Sequence, residues 1–299
     1  MLPEGARGRL DHAGVIVRDL EASARAWESL GFQLSPLSRQ GGALPGRTDT
    51  GPWATANRCA IFRQGYLELI GIVDPAAHNP WERFLRRVEG MHILALRVSS
   101  ADGCASALAL DESLAQDFAP PVQRERALDV DGTQRIMRFR NVFSRDERCP
   151  EARLILIEHQ TPDYLWQPRY LDHPNGAEAL AAVQLCCDLK GHELPGHPVH
   201  RLQALTGATV ESERVDALQL RSPDGARFEA LSPGGFTLRF GVAPLACPAY
   251  VGATVRFADR ARAAALMEAN GHRVSREDGD WFVHPAGAPG FLLTLEQAQ

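Results

Sequence analysis

Two histidines and two carboxylates occupy matched places in segments that resemble one another. His12 lies in LDHAGVIV (10–17) and Glu68 in GYLELIGI (65–72), while His92 lies in GMHILALRV (90–98) and Glu158 in ARLILIEHQ (152–160). A pair of acids converging in one place repel by about 4 kcal/mol at ~4 Å and an effective dielectric of ~20. A divalent cation removes that cost, because two carboxylates and two neutral imidazoles balance its charge. Such a mixed ligand set suits Zn, Ni, Co, Mn or Fe(II) without choosing among them. The metal would polarise a carbonyl and stabilise an enediolate.

The last ligand is open in register. Neighbouring strand residues face opposite sides, so a one-residue slip replaces Glu158 by His159 and gives three histidines and one glutamate. Asn57 and Arg58 in TANR could orient an anionic or carbonyl group of a substrate, with an ordinary salt bridge as the alternative for Arg58. His159 and Trp166 are further substrate-binding candidates. Trp166, Tyr170 and His173 either close over a pocket mouth or pack between halves of the chain. His192, Glu193, His197 and His200 form a His-rich patch that reads as a solvated loop entering a helix, and Arg135, Arg138 and Arg140 read as a solvated strand face.

These residues need strands to hold them. RLDHAGVIVRDL alternates as a strand, and LEASARAWESLGF carries Leu20, Ala24, Trp27 and Leu30 at helical spacing, with Gly31 as its stop. GFQLSPLSRQ is strand-like, GGALPGRTDTGPWAT (41–55) reads as loop, and NRCAIFRQGYLELIGI reads as two strands around a turn. A helix is expected over 79–89, with Asn79 as N-cap and Pro80 at its first position. The same β-α-β-β-β order then repeats. The segment 161–177 is a crossover loop or short helix ordered by its aromatics. The pattern resumes more weakly afterwards, giving four modules in all.

The segments LDHAGVIVRDLEASARAWESLGF, TANRCAIFRQGYLELIGI and TPDYLWQPRYLDHPNGA together resemble the vicinal oxygen chelate superfamily, and within it the glyoxalase-like domain proteins. The resemblance implies an α+β fold of tandem β-α-β-β-β modules paired into two glyoxalase-like domains. The expected domains are 1–176, with modules at 9–75 and 90–160 and a crossover at 161–176, and a degenerate pair at 177–299. It further implies a cupped sheet with a metal held by His12, Glu68, His92 and Glu158, and a catalytic base in Glu158, which could leave the metal and take a proton from carbon. In the later modules Val183–Gln184 and Val251–Gly252 stand where a histidine is expected, so no metal is expected there, and Glu229 reads as a strand-end carboxylate.

Composition narrows the classes. The 299 residues are 44% hydrophobic and 23% charged, with a formal net charge of −5, so nothing argues for nucleic acid or an anionic membrane as partner. The six cysteines form no CxxC pair and are expected to be reduced. No secretory signal or membrane span is visible, so a cytoplasmic location is expected. The expected partners are a small-molecule substrate and, as one option, a second copy in a homodimer. The leading expectation is a metal-dependent glyoxalase-like lyase or isomerase acting on a small carbonyl- or hydroxyl-bearing metabolite. The alternatives are an extradiol-type dioxygenase and a metal-free binding protein of the bleomycin-resistance kind.

Overall fold

The fold was obtained as a computed structural model, and the structure describes residues 1–46, 49–286 and 290–298. The first module comprises β1 (Arg9–Asp19), α1 (Leu20–Ser29), β2 (Ser38–Ala43), β3 (Thr50–Ile61) and β4 (Tyr66–Ile72). A short α2 (Glu82–Leu85) leads to β5 (Gly90–Arg97), α3 (Ala101–Leu110), β6 (Val122–Val130), β7 (Thr133–Phe143) and β8 (Arg153–His159). After α4 (Pro162–Leu165) the third module runs β9 (Ala177–Cys186), α5 (Pro198–Thr206), β10 (Thr209–Arg214), β11 (Ala217–Arg221) and β12 (Arg227–Leu231). Next, α6 (Pro233–Phe240) precedes β13 (Ala249–Phe257), α7 (Arg260–Ala269), β14 (Val274–Glu277), β15 (Asp280–Val283) and β16 (Leu292–Gln297). The architecture is α+β, with four β-α-β-β-β modules in two pairs.

Each pair makes one eight-stranded sheet. The orders are β2-β3-β4-β1-β5-β8-β7-β6 and β10-β11-β12-β9-β13-β16-β15-β14, so the same topology occurs twice. Within the first sheet β1 is parallel to β4 and antiparallel to β5, which in turn is parallel to β8. The two modules are therefore related by an approximate twofold axis between β1 and β5. Helix starts set the correspondence. Asp19 caps α1 by accepting from the Ala22 N–H at 2.9 Å, and Ser100 caps α3 by accepting from the Gly103 N–H at 3.1 Å.

One face of each sheet packs against α1, α3, α5 and α7 in a core shared by both pairs, with Trp27, Leu67, Leu94, Val183, Phe257 and Phe291 among its members. The opposite faces are separate. That of the first sheet is a cup floored by Ile16, Ile70, Ile93, Ala95, Ile155 and Ile157, with Trp81 and Phe84 at one end. That of the second is filled by Phe236 and Phe240 of α6, packed on Val251, Phe282 and Leu292. A buried ion trio ties α5 to the second module: Arg201 donates to Asp117 at 3.0 Å and to Glu151 at 2.6 Å.

Local elements differ from expectation in two places. The 79–89 helix shrinks to α2, because Asn79 accepts from the Trp81 N–H at 2.9 Å and spends the first turn on that contact. The expected loop at 41–55 is largely a hairpin of β2 and β3, in which Gly41 pairs with Pro52 and Ala43 with Thr50. Arg47 and Thr48 of that segment lie outside the described residues. The crossover at 161–177 holds α4 and a 3-10 turn at Pro168–Tyr170, as expected.

Candidate functional site

The first cup opens into a cavity of about 960 Å³, large enough for a ligand well beyond three or four carbons. His12, Asn57, Glu68 and His159 all line it. Its polar centre lies at the start of β1. The β1–β5 register skips between Leu10 and His12, a bulge that frees Asp11 from the ladder. The buried Asp11 carboxylate accepts from His12 Nδ1 at 2.8 Å, from Arg97 Nε at 2.8 Å and from His159 Nε2 at 3.1 Å. Burial alone would raise its pKa, but the hydrogen bonds and charges of His12 and His159 outweigh it and hold Asp11 far below the usual carboxylate range.

That contact fixes the His12 tautomer. An ionised carboxylate can only accept, so Nδ1 carries the proton donated to Asp11, and Nε2 faces Glu68 Oε2 at 3.8 Å. Tyr66 stacks on the His12 ring with centroids 4.2 Å apart. Burial, with the nearby Asp11 and Glu68 charges, pushes its phenol well above the ordinary value, so it stays neutral. The other Glu68 oxygen accepts from Asn57 Nδ2, whose amide oxygen accepts from Arg126 at 3.1 Å. Cys59, in the same wall, is a thiol pushed further up by burial and by Glu68.

His92 and Glu158 are not brought to this group. His92 is buried at the far end of β5, where its Nε2 bonds the Val88 carbonyl at 2.8 Å and its ring lies 5.0 Å from Phe84. Burial lowers its pKa. Glu158 turns to the helical face, where Oε2 accepts from the Ala101 N–H at the start of α3, 2.8 Å away. The reason is register. Aligning the caps Asp19 and Ser100 carries His12 onto Ile93, not His92. Pairing agrees, since Glu68 lies beside Gly14 and the twofold counterpart, Ile155, lies beside Ala95. Both counterparts are isoleucines in the cup floor.

A divalent metal, the cofactor that the sequence resemblance implies, would therefore find half a site. Metal centres in catalysis use about three protein ligands. Here His12 Nε2 and Glu68 face each other, but Ile93 and Ile155 supply no donor and His159 Nε2 is committed to Asp11. Among the described residues no group of three or more His, Cys, Asp and Glu side chains is arranged to hold a metal ion. The residues present do not fit a catalytic metal.

Arg58 pairs with Glu28 at 2.9 Å and with the Ser35 carbonyl at 3.0 Å, the ordinary salt bridge of the two options. Trp166 backs the site, its ring 5.0 Å from that of His159 and its Nε1 donating to the Phe62 carbonyl at 3.1 Å. Tyr170 lines the cavity. His173 is buried packing, accepting from the Gln33 N–H at 3.0 Å and bonding the Ile61 carbonyl at 2.9 Å. His197 caps α5, accepting from the Val199 N–H at 3.1 Å. Arg138 and Arg140 make exposed pairs with Glu125 and Asp102. In the second cup Glu229 is paired with Arg239 of α6.

A family model described as "Glyoxalase-like domain" matches residues 10–192. The chain belongs to the glyoxalase-like domain family. Among solved structures, a hypothetical protein from Staphylococcus aureus aligns with a TM-score of 0.63 at 11% identity, covering 97% of this chain and 99% of that one. A 4-hydroxymandelate synthase mutant from Streptomyces coelicolor aligns at 0.59 and 14% identity, covering 97% and 92%. A xylose isomerase-like TIM barrel/4-hydroxyphenylpyruvate dioxygenase fusion protein aligns at 0.57 and 15%, covering 99% of this chain and 49% of that one. These likenesses are likenesses of fold. No curated protein matches the sequence.

Proposed function

We propose that this glyoxalase-like protein is an enzyme that moves a proton at carbon next to a carbonyl or hydroxyl group, by isomerase or lyase chemistry, in the first cup. The observation that carries this reading is the Asp11–His12–Glu68 line. Asp11 orients the imidazole through Nδ1, leaving Nε2 directed at the cavity to act as base. Glu68, facing Nε2, is placed to accept or return the second proton, and Arg126, joined to it through Asn57, adds positive potential for a developing enediolate oxygen. This assigns the base to His12 in place of Glu158 and routes no step through a metal.

The test is proton exchange. Incubation in D₂O with a panel of α-hydroxycarbonyl and 2-oxo acid compounds, followed by NMR, is expected to show C–H to C–D exchange with at least one of them. His12→Gln should lower that exchange by about 10²–10⁴-fold. A second reading is a binding protein without catalysis, favoured by Ile93 and Ile155 in place of ligands. Tight binding of a compound from the panel, with no exchange or turnover in any, would establish that reading instead.

A further inference from the structure

Arg124 and Arg126 sit two apart on β6 and so face the same side, toward the cavity they both line. Arg124 is half-buried, its guanidinium carbon 5.8 Å from the ring centres of both Trp53 and Phe143. No carboxylate partners it among the described residues; the charges that act on it are those of Arg126 and Arg153, which with burial lower its pKa. Arg153 is different, being satisfied by Asp146 through Nε at 3.0 Å and NH2 at 2.5 Å. Space has been kept for Arg124. A Cβ on Gly42 of β2 would lie 2.4 Å from the Trp53 ring and 3.0 Å from an Arg124 nitrogen. The guanidinium therefore spans the gap between the two edges of the sheet, where β2 and β6 approach.

A half-buried cation with no carboxylate partner, beside Arg126, is costly unless something anionic visits it. The remaining floor is hydrocarbon, from Ile70, Ile93, Ile155 and Ile157. We propose that the cup takes an organic acid: its carboxylate is gripped by the Arg124 fork at the mouth, with Arg126 beside it, and its apolar body lies over the isoleucines toward His12. A planar fork matches a carboxylate in two parallel hydrogen bonds, which a hydroxyl of the same shape cannot reproduce. The cavity volume sets the size class, an acid of drug-like dimensions. The inference names the substrate class of the reading above and rests on the same cup being the ligand site.

Calorimetric titration with 4-phenylbutyrate and its uncharged analogue 4-phenyl-1-butanol tests it. The acid is expected to bind at least tenfold more tightly than the alcohol. Arg124→Met should erase that preference while leaving alcohol binding within about twofold, and Arg124→Lys, which keeps the charge, should retain part of it. Unfolding midpoints of both variants verify that they fold. Equal affinity for acid and alcohol, no uptake of either at millimolar concentration, or an undiminished preference in Arg124→Met would each overturn the proposal. Acid preference without carbon exchange would leave this inference standing and remove only the catalytic one.

Discussion

At the scale of single residues, Asp11 governs the site. Its folded-state pKa is depressed, so its contribution to stability is complete above about pH 4, the unfolded value, and is lost as pH falls toward the folded value. Asp11→Asn should therefore be destabilised most at neutral pH, and its deficit against the parent should shrink below about pH 4; urea unfolding across pH 2–7 measures this. The same change removes the group that orients His12 and should cut carbon exchange strongly while leaving acid binding at Arg124 within a few-fold. A second experiment addresses the missing half of the metal set. The parent protein is expected to carry well under one equivalent of transition metal after dialysis. Ile93→His combined with Ile155→Glu should take up about one equivalent of Zn or Ni, read by elemental analysis, because it completes the four donors across the twofold.

At the scale of elements, what was legible in the sequence is tied to periodicity and what was not is tied to register. Alternation in LDHAGVIV and LELIGI and the helical spacing of Leu20, Ala24 and Trp27 specify the first module, and β1, α1 and β4 follow them closely. His12 and Glu68 are legible as inward-facing residues because the alternation of β1 and β4 puts each on the same side as the isoleucines of the cup, Ile16 and Ile70. The second half-site was misplaced by a slip of one residue on β5, where His92 is adjacent to Ile93, and of three on β8, between Ile155 and Glu158. The matched caps Asp19 and Ser100 were the signal that could have corrected it. Asp11 went unread because a bulge leaves no mark in an alternating pattern, and the Arg124 fork went unread because an edge strand's arginines look like solvent-facing charge. The filled second cup also belongs to this scale. Phe236 and Phe240 of α6 are both buried, so Phe240→Ala should cost about 3–5 kcal/mol in chemical unfolding and leave ligand binding in the first cup unchanged.

At the scale of the whole molecule, two sheets share one core, and the Arg201 trio is where charge is sealed between modules. Arg201 is 2% exposed and Asp117 and Glu151 are equally covered. Removing one partner strands the others, so Arg201→Ala should lose about 3–5 kcal/mol, while Arg201→Met with Asp117→Asn and Glu151→Gln should recover part of it. Denaturant melts of the two variants decide the matter. Twofold architecture has one last effect on the first cup. Its acid-base groups belong to one module and hydrocarbon fills their mirror positions in the other, while the arginine fork lies at one rim only. A molecule entering such a space has a single way round to lie. Protons would then be delivered to one prochiral face, and a racemic acid offered to the protein would be consumed in one enantiomer and left in the other.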